Sequence, residues 1–402
     1  MDLSETMQKK RSPIPAVYLH IPFCRTICPF CSFTVRRDRA KMHEKYIRGM
    51  VDEIDRRAEM LKDMERKENE EKLSGQILLK SIYIGGGTPS CLTIPEVSVL
   101  LTKVRENFPW SDQIEIAFEM NPDDVNPEYL SGLADIGVNR LSLGGQSFQT
   151  STLQKLGRCH TVADLRNAIA VITNSSFDNW NLDLMFGIPE QSIVMFKNDV
   201  EEALRYEPSH ISLYGLEIHE RTPFGNNPQI RNWEPEHLEQ FEEMYLWATD
   251  NLEKAGLFQY EISNFSKKTN EGRQNLLVWS GQEYLGFGVG AHSYHRQTRW
   301  GNVRSIRTYL QHLGQNTWPT EFIEQLSAKQ LAVEFLMLGL RQCEGINIKE
   351  WQTRYGLHLQ NQQLNFVQEL CDDGRAFWEG QHLCLTPKGM LLADRITVQL
   401  MP

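Results

Sequence analysis

The chain has 402 residues, 41% of them hydrophobic, enough for two or three well-cored domains at roughly 100–200 residues each. Its 42 basic and 52 acidic residues leave a net charge of −10, which argues against non-specific nucleic-acid binding and against a broad anionic-membrane surface. No apolar run reaches the ~18 residues of a membrane span. The opening Met1-Asp2-Leu3-Ser4-Glu5 has no apolar segment of the signal kind, so a soluble cytoplasmic protein is expected.

In chain order, β-rich runs at 16–21, 81–84, 115–119, 140–143, 181–186 and 210–214 alternate with helical patterns at 38–70, 94–107, 162–173 and 194–205. This order predicts parallel strands joined by crossover helices. Six such strands suit an open or partial (β/α)6 barrel better than a complete eight-strand one. The first helix ends in a charge run at 62–72, read as a solvated helix end and loop. A further helix is predicted at 236–255. Residues 258–302, rich in aromatics and glycines, read as irregular structure with short strands. From 326 a different unit begins, with helices at 328–341, 348–355 and 360–373, a strand pair around Phe377 and 383–385, and a last helix at 387–399. Helices followed by a hairpin suggest a small winged-helix-like domain. The predicted division is 12–235, 236–325 and 326–402.

The chemistry-bearing residues gather at the carboxyl ends of the predicted strands, where parallel α/β sheets bind ligands. After the first strand come Cys24, Cys28 and Cys31, spaced C-x3-C-x2-C. Three thiolates so close in sequence converge on one metal centre. A cubane iron–sulfur cluster held by three cysteines keeps one iron without a protein ligand, open for chemistry. Structural zinc completed by His20 or a distant cysteine is the alternative, but the second C-x2-C knuckle of a zinc ribbon is missing. A redox pair of Cys28 and Cys31 would leave Cys24 over. Cys91, Cys159, Cys343, Cys371 and Cys384 do not cluster, and are expected to be small buried hydrophobes rather than disulfides.

After the second strand comes Gly85-Gly86-Gly87-Thr88-Pro89-Ser90. It has neither the Walker nor the dinucleotide spacing. Consecutive glycines allow either a tight turn or the close approach of a ligand to backbone. The third strand ends in Glu119-Met120-Asn121-Pro122, where Glu119 can accept from ribose hydroxyls or an ammonium. The fourth ends in Gly144-Gly145-Gln146-Ser147-Phe148, followed by Arg158, which can pair with a carboxylate. Asp183 lies between Leu182 and Leu184 on the fifth strand and needs a partner if buried.

The cysteine run with its aromatic Phe30 resembles the radical S-adenosylmethionine (SAM) signature. Tyr18-Leu19-His20-Ile21-Pro22-Phe23-Cys24 is similar to the form found in the oxygen-independent coproporphyrinogen III oxidase-like, or HemN/HemW, family. So are 85–90, Gly137-Val138-Asn139-Arg140-Leu141-Ser142, Gln146-Ser147-Phe148, Asn181-Leu182-Asp183-Leu184, Tyr260-Glu261-Ile262-Ser263-Asn264-Phe265, Leu285-Gly286-Phe287-Gly288 and Gly290-Ala291-His292-Ser293. The resemblance covers nearly the whole chain and is nearer to the haem-chaperone branch. The oxidase branch has a fourth cysteine where this chain has Phe33, and a longer arm before the cluster.

The resemblance implies a partial (β/α)6 radical SAM barrel with a C-terminal HemN/HemW-like, winged-helix-like domain. It implies a [4Fe–4S] cluster on Cys24, Cys28 and Cys31, with SAM on the open iron. By motif position, Tyr18, Gly86 and Glu119 match contacts to that SAM, and Phe30, Gly87, Thr88, Gln146, Arg158 and Asp183 match the second-SAM contacts of the oxidase. It further implies haem as cargo, passed to a haem-receiving protein. Here the chain departs from the branch: in Gln274-Asn275-Leu276-Leu277-Val278-Trp279, Gln274 and Val278 replace the His and Tyr of a His-Asn-x-x-Tyr-Trp motif. Glutamine is a poor haem-iron ligand, and His292 and His295 are the candidates to replace it. The alternative is a radical SAM enzyme that acts on a porphyrinogen, or alkylates in the manner of class C methyltransferases.

Overall fold

The computed structural model describes residues 14–67 and 78–402. The opening run at 1–5 and residues 68–72 of the charge run lie outside the described residues. All six predicted strands form, as β1 (Ala16–Ile21), β2 (Leu79–Gly86), β3 (Trp110–Met120), β4 (Arg140–Gln146), β5 (Trp180–Phe186) and β6 (His210–Gly215). They pair in sequence order, each parallel to the next. In β1 every residue but Tyr18 is buried, as expected for a parallel strand covered on both faces.

One face of this sheet is apolar and lies under helices. Val17, Leu19, Ile21, Ile82 and Ile84 pack with Met50 and Ile54 of α1 (His43–Lys67) and with Leu100 and Val104 of α2 (Ile94–Asn107). The other face carries Tyr18, Tyr83, Glu119, Ser142, Asn181 and Asp183 toward the barrel interior. Tyr18 pairs in register with Tyr83, Glu119 with Ser142, Ser142 with Asn181, and Asn181 with His210.

Helices that the sequence pattern did not predict include α3 (Pro127–Asp135) and α4 (Thr150–Lys155). The first is short and announced only by its ends, with Pro127 at its first turn and the Asn126 side chain accepting from Tyr129 N–H at 2.8 Å. Next come α5 (Val162–Thr173), started by a Thr161/Asp164 capping box, and α6 (Ile193–Leu204).

The glycine- and aromatic-rich stretch is more ordered than predicted. After α7 (Leu238–Lys254), strands β7 (Phe258–Glu261) and β8 (Asn264–Ser266) add antiparallel to the β6 edge. The chain then crosses through α8 (Arg273–Trp279) to the opposite edge. There β9 (Tyr284–Phe287) pairs parallel with β1, and β10 (His292–His295), β11 (Thr298–Asn302) and β12 (Thr320–Gln325) continue antiparallel, with α9 (Ile306–Gly314) between the last two. The result is a 12-stranded sheet in the order β12-β11-β10-β9-β1-β2-β3-β4-β5-β6-β8-β7. Its outermost strands are not paired with each other, so the barrel is partial.

A second core gathers Ala332 and Leu336 of α10 (Ala328–Gly339), Trp351 of α11 (Ile348–Tyr355) and Leu370 of α12 (Asn361–Asp372). A three-stranded sheet of β13 (Ile346–Asn347), β14 (Ala376–Glu379) and β15 (His382–Leu385) completes it. The predicted final helix is broken: a turn at Pro387–Met390 precedes α13 (Ala393–Leu400). Met390 and Ile396 both reach the core, yet a continuous helix would set them about 120° apart. Among the described residues no helix is long and apolar enough to cross a membrane.

Candidate functional site

The cysteine loop is stapled at its base. Arg36 N–H donates to Pro22 O at 2.6 Å, Asp38 N–H to Cys24 O at 2.8 Å, and Cys31 N–H turns back to Cys28 O at 3.1 Å. This presents Cys24, Cys28 and Cys31, all free thiols, to one cavity of about 470 Å³ in the barrel interior. Burial pushes the Cys24 thiol up to about 11, against a hydrogen bond from Thr88 Oγ1 at 3.6 Å, and also raises Cys31. Metal ligation requires the thiolates, so loading this site releases protons.

The glycine run forms a tight turn, and Gly86 and Gly87 line the cavity. Gly86 has φ +119°, a region that favours glycine. A Cβ on Gly87 would lie 2.8 Å from both Cys24 Sγ and Phe23 O. Gly86 N–H donates to Glu119 Oε2 at 3.0 Å, and Tyr83 OH donates to Oε1 at 2.7 Å. Burial nevertheless pushes Glu119 up to about 7, with the Asp183 charge adding to the rise and these two donors opposing it. Asp183 accepts from Asn181 Nδ2 at 2.7 Å, the partner it was expected to need, and burial pushes it up to about 6.

Arg158 reaches across from behind α4. Its Nη2 donates to Asn121 Oδ1 at 2.6 Å and to Gly144 O at 2.9 Å, while Nη1 points to Cys28 Sγ at 3.7 Å. Its Nε is buried without a hydrogen-bond partner, and no carboxylate pairs with it among the described residues. Gln146, at φ +69°, sits at a register shift that turns the end of β4 toward the cavity. Phe30, Gly86, Gly87, Thr88, Glu119, Gln146, Arg158 and Asp183 all line the cavity with the three cysteines, and exposed Phe33 stands at its rim. Tyr18 stands one layer back, its ring stacked on Tyr83 at 6.2 Å and its OH bonded to His20 Nδ1 at 2.9 Å.

Several lining residues were not singled out from sequence. Asn121 joins Thr88 Oγ1, at 3.2 Å, to Arg158. Tyr83 lies on the same strand face as Tyr18, and period-two alternation would have found it. Arg140 and His210, the first residues of β4 and β6, line the opposite, amino end of the barrel. There α8 forms the floor, with Gln274 7% exposed and its Oε1 unpartnered, beside Asn275. The substituted motif therefore lies at the opposite end of the strands from the cysteines. Val278 is not among the lining residues, and neither are His292 and His295, which lie on β10.

His20 is no metal ligand in this arrangement, because its Nε2 bonds Thr34 O at 2.8 Å while Nδ1 meets Tyr18. Among the described residues no group of three or more His, Cys, Asp or Glu stands ready to hold a single metal ion. A cubane presents its irons at separate corners, so its thiolates line a cavity rather than meet at a point. The expectation for the remaining cysteines needs correction: all five are free, but only Cys384 is fully buried and Cys159 is exposed. Cys159 lies in the bend between α4 and α5, outside any helix or strand that would turn it into the core.

Residues 18–203 match the radical SAM superfamily and residues 326–392 the HemN C-terminal domain. The chain is 33% identical over 382 residues to a protein of Bacillus subtilis (strain 168) named heme chaperone HemW, covering 95% of this chain and 97% of that one. The chain belongs to the HemW family of radical SAM proteins. A HemW of Lactococcus lactis is 30% identical over 95% of this chain and 96% of its own length, and the HemW of Escherichia coli (strain K12) 33% over 70% of each. In fold the chain is similar to coproporphyrinogen III oxidase (HemN) of Escherichia coli, with a TM-score of 0.79 at 19% identity over 99% of this chain and 92% of that one. Radical SAM membership implies a [4Fe–4S] cluster and SAM. The three free thiols on one cavity, and the backbone cleared beside Cys24 by Gly87, fit that cluster.

Proposed function

We propose that this chain is a haem-binding trafficking protein built on a radical SAM core. Cys24, Cys28 and Cys31 hold the cluster. Tyr18, Gly86 and Glu119 serve the SAM on its open iron, Tyr18 by positioning Tyr83. Phe30, Gly87, Thr88, Gln146, Arg158 and Asp183 form the remaining wall, where Arg158 is suited to a carboxylate and Glu119 to an ammonium. The bound cluster supplies a strongly reducing electron to SAM. The chain's own part is to exclude water, fix the methionine end and keep Glu119 and Asp183 apart on β3 and β5, with β4 between them. Haem is the cargo and a haem protein the recipient, a reading that rests on the end-to-end match to proteins named heme chaperones. Residues 12–235 form the core, 236–325 the segment that completes the partial barrel, and 326–402 the winged-helix-like domain.

The single observation that carries the core of this reading is the meeting of three free thiols, Glu119 and Arg158 on one cavity. Anaerobic reconstitution followed by parallel haem and SAM titrations tests it. The protein should become brown, bind SAM and shift the Soret band of micromolar haem, while coproporphyrinogen III keeps its mass. Cys28→Ala should lose the cluster, because two thiolates hold a cubane poorly. Full iron retention in that variant, or no Soret shift in the wild type, refutes the corresponding half.

A further inference from the structure

Asn121 stands where the glycine run, the cysteine loop and Arg158 meet. It follows the last residue of β3, and Pro122 after it favours the extended backbone seen there, at φ −93° and ψ 151°. Its N–H donates to Ser90 Oγ at 3.2 Å, and the Ser90 hydroxyl donates to Asp124 Oδ2 at 2.7 Å. The buried Asp124 carboxylate pairs in turn with Arg25, which lies between Cys24 and Cys28. The backbone of Asn121 is therefore fixed from both loops before its side chain is counted.

The side chain then has one workable orientation. A guanidinium can only donate, so the atom that faces Arg158 Nη2 at 2.6 Å is the amide oxygen. That leaves Nδ2 to donate to Thr88 Oγ1 at 3.2 Å. With its oxygen accepting there, the Thr88 hydroxyl turns its proton to Cys24 Sγ at 3.6 Å. On the other side Arg158, which also donates to Gly144 O at 2.9 Å, brings Nη1 to Cys28 Sγ at 3.7 Å. One amide thus sets the direction of a hydrogen bond to each of two cysteine sulfurs. It also aims a guanidinium that has no carboxylate partner among the described residues and whose Nε is buried and unpartnered.

We infer that Asn121 is the positioning residue of this site: through Thr88 and Arg158 it tunes the reduction potential of the cluster and aims Arg158 at the carboxylate of SAM. The inference rests on the radical SAM reading of the cavity above. Hydrogen bonds to the sulfurs and nearby positive charge favour the more negative, reduced state of an iron–sulfur cluster, and so raise its potential. Asn121→Asp separates the two contacts. A carboxylate still accepts from Arg158 but has no N–H to give, so the Thr88 hydroxyl donates to it and Cys24 loses its donor. The same carboxylate competes with that of SAM for Arg158.

The test is anaerobic reconstitution of the full chain as wild type, Asn121→Ala, Asn121→Asp and Ser192→Ala. Ser192 caps α6 by accepting Met195 N–H at 3.2 Å and does not line the cavity, so its variant reports lost stability alone. Iron per chain, the midpoint potential in a redox titration followed by electron paramagnetic resonance, and SAM affinity are measured for each. Both Asn121 variants should lower the midpoint potential and weaken SAM about tenfold or more. Ser192→Ala should match wild type in both. Should Asn121→Ala fail to hold iron, Asn121→Asp carries the test, because it fills the same space and keeps Arg158 held. Wild-type potential and SAM affinity in Asn121→Asp overturn the positioning role alone. A wild type that takes up no cluster overturns the radical SAM reading of the cavity as well.

Discussion

Gly87 and Cys24 occupy adjoining space with none to spare: a Cβ on the glycine would stand 2.8 Å from the cysteine sulfur. The same Cβ would lie 2.8 Å from the Phe23 carbonyl oxygen, which belongs to the backbone and has no rotamer to escape into. Gly87→Ala must therefore push the glycine loop away from the cysteine loop. The expected cost is about 1–3 kcal/mol of stability from overpacking. Reconstituted iron per chain should fall with it, as measured by iron assay and denaturant unfolding. Wild-type iron content and stability in this variant would mean that the two loops move independently.

Glu119 should make SAM binding depend on pH. Burial raises its carboxyl from about 4.5 to about 7. Its contribution to stability is therefore full below about 4.5 and is lost as pH rises through about 7. A ligand ammonium favours the ionised form, so SAM affinity should rise on the order of tenfold between pH 6 and 8. Glu119→Gln should remove that rise and weaken binding at pH 8. The difference between the two titrations separates the carboxyl from the ligand's own amine. Parallel pH profiles for wild type and variant would exclude Glu119 from the ammonium site.

Glu53 ties three elements together from inside the core. Its carboxyl accepts Gly288 N–H at 2.9 Å, Asn302 Nδ2 at 2.6 Å and Tyr309 OH at 2.6 Å, joining α1 to the loop after β9, to β11 and to α9. Burial raises its pKa, and the three donors offset the cost of keeping it in the core. Glu53→Ala should destabilise the fold by about 3 kcal/mol, because three buried donors lose their acceptor. Chemical denaturation measures it. A loss below about 1 kcal/mol would show that water replaces the carboxylate.

Gln274→His restores the histidine of the family motif, but at the barrel floor rather than near the cysteines. Only 7% of the residue is exposed, and it lies on the floor of the cavity, so porphyrin iron must cross the barrel interior to reach it. Haem affinity should stay within about threefold of wild type, on the scale where tenfold is 1.4 kcal/mol. A large gain would place haem inside the barrel.

How much was legible depended on whether the signal was local. All six parallel strands could be read because buried strands are short runs of β-branched and aromatic residues, and the cysteine spacing lies within eight consecutive positions. The short helices α3 and α4 could not, since two turns hold too few periodic positions to stand out from their capped ends. The stretch at 258–302 was undervalued because its strands gain their stability from pairing with β6 and β1, which are distant in sequence. Asn121 carries no local signal beyond its place at a strand end, because Thr88 and Arg158 meet on it only in the folded chain.

The sequence alone determined that three cysteines would stand after the first of six parallel strands, with glycines and carboxylates at the following strand ends. That follows because loop chemistry and strand alternation are properties of neighbouring residues. Only the tertiary structure decided which end of the barrel each motif would occupy. It put Gln274 on the floor, away from the cysteines, and set His292 on β10 against Phe322. Strand order and register bring residues from opposite ends of the chain into one row, and neither is written in any local stretch.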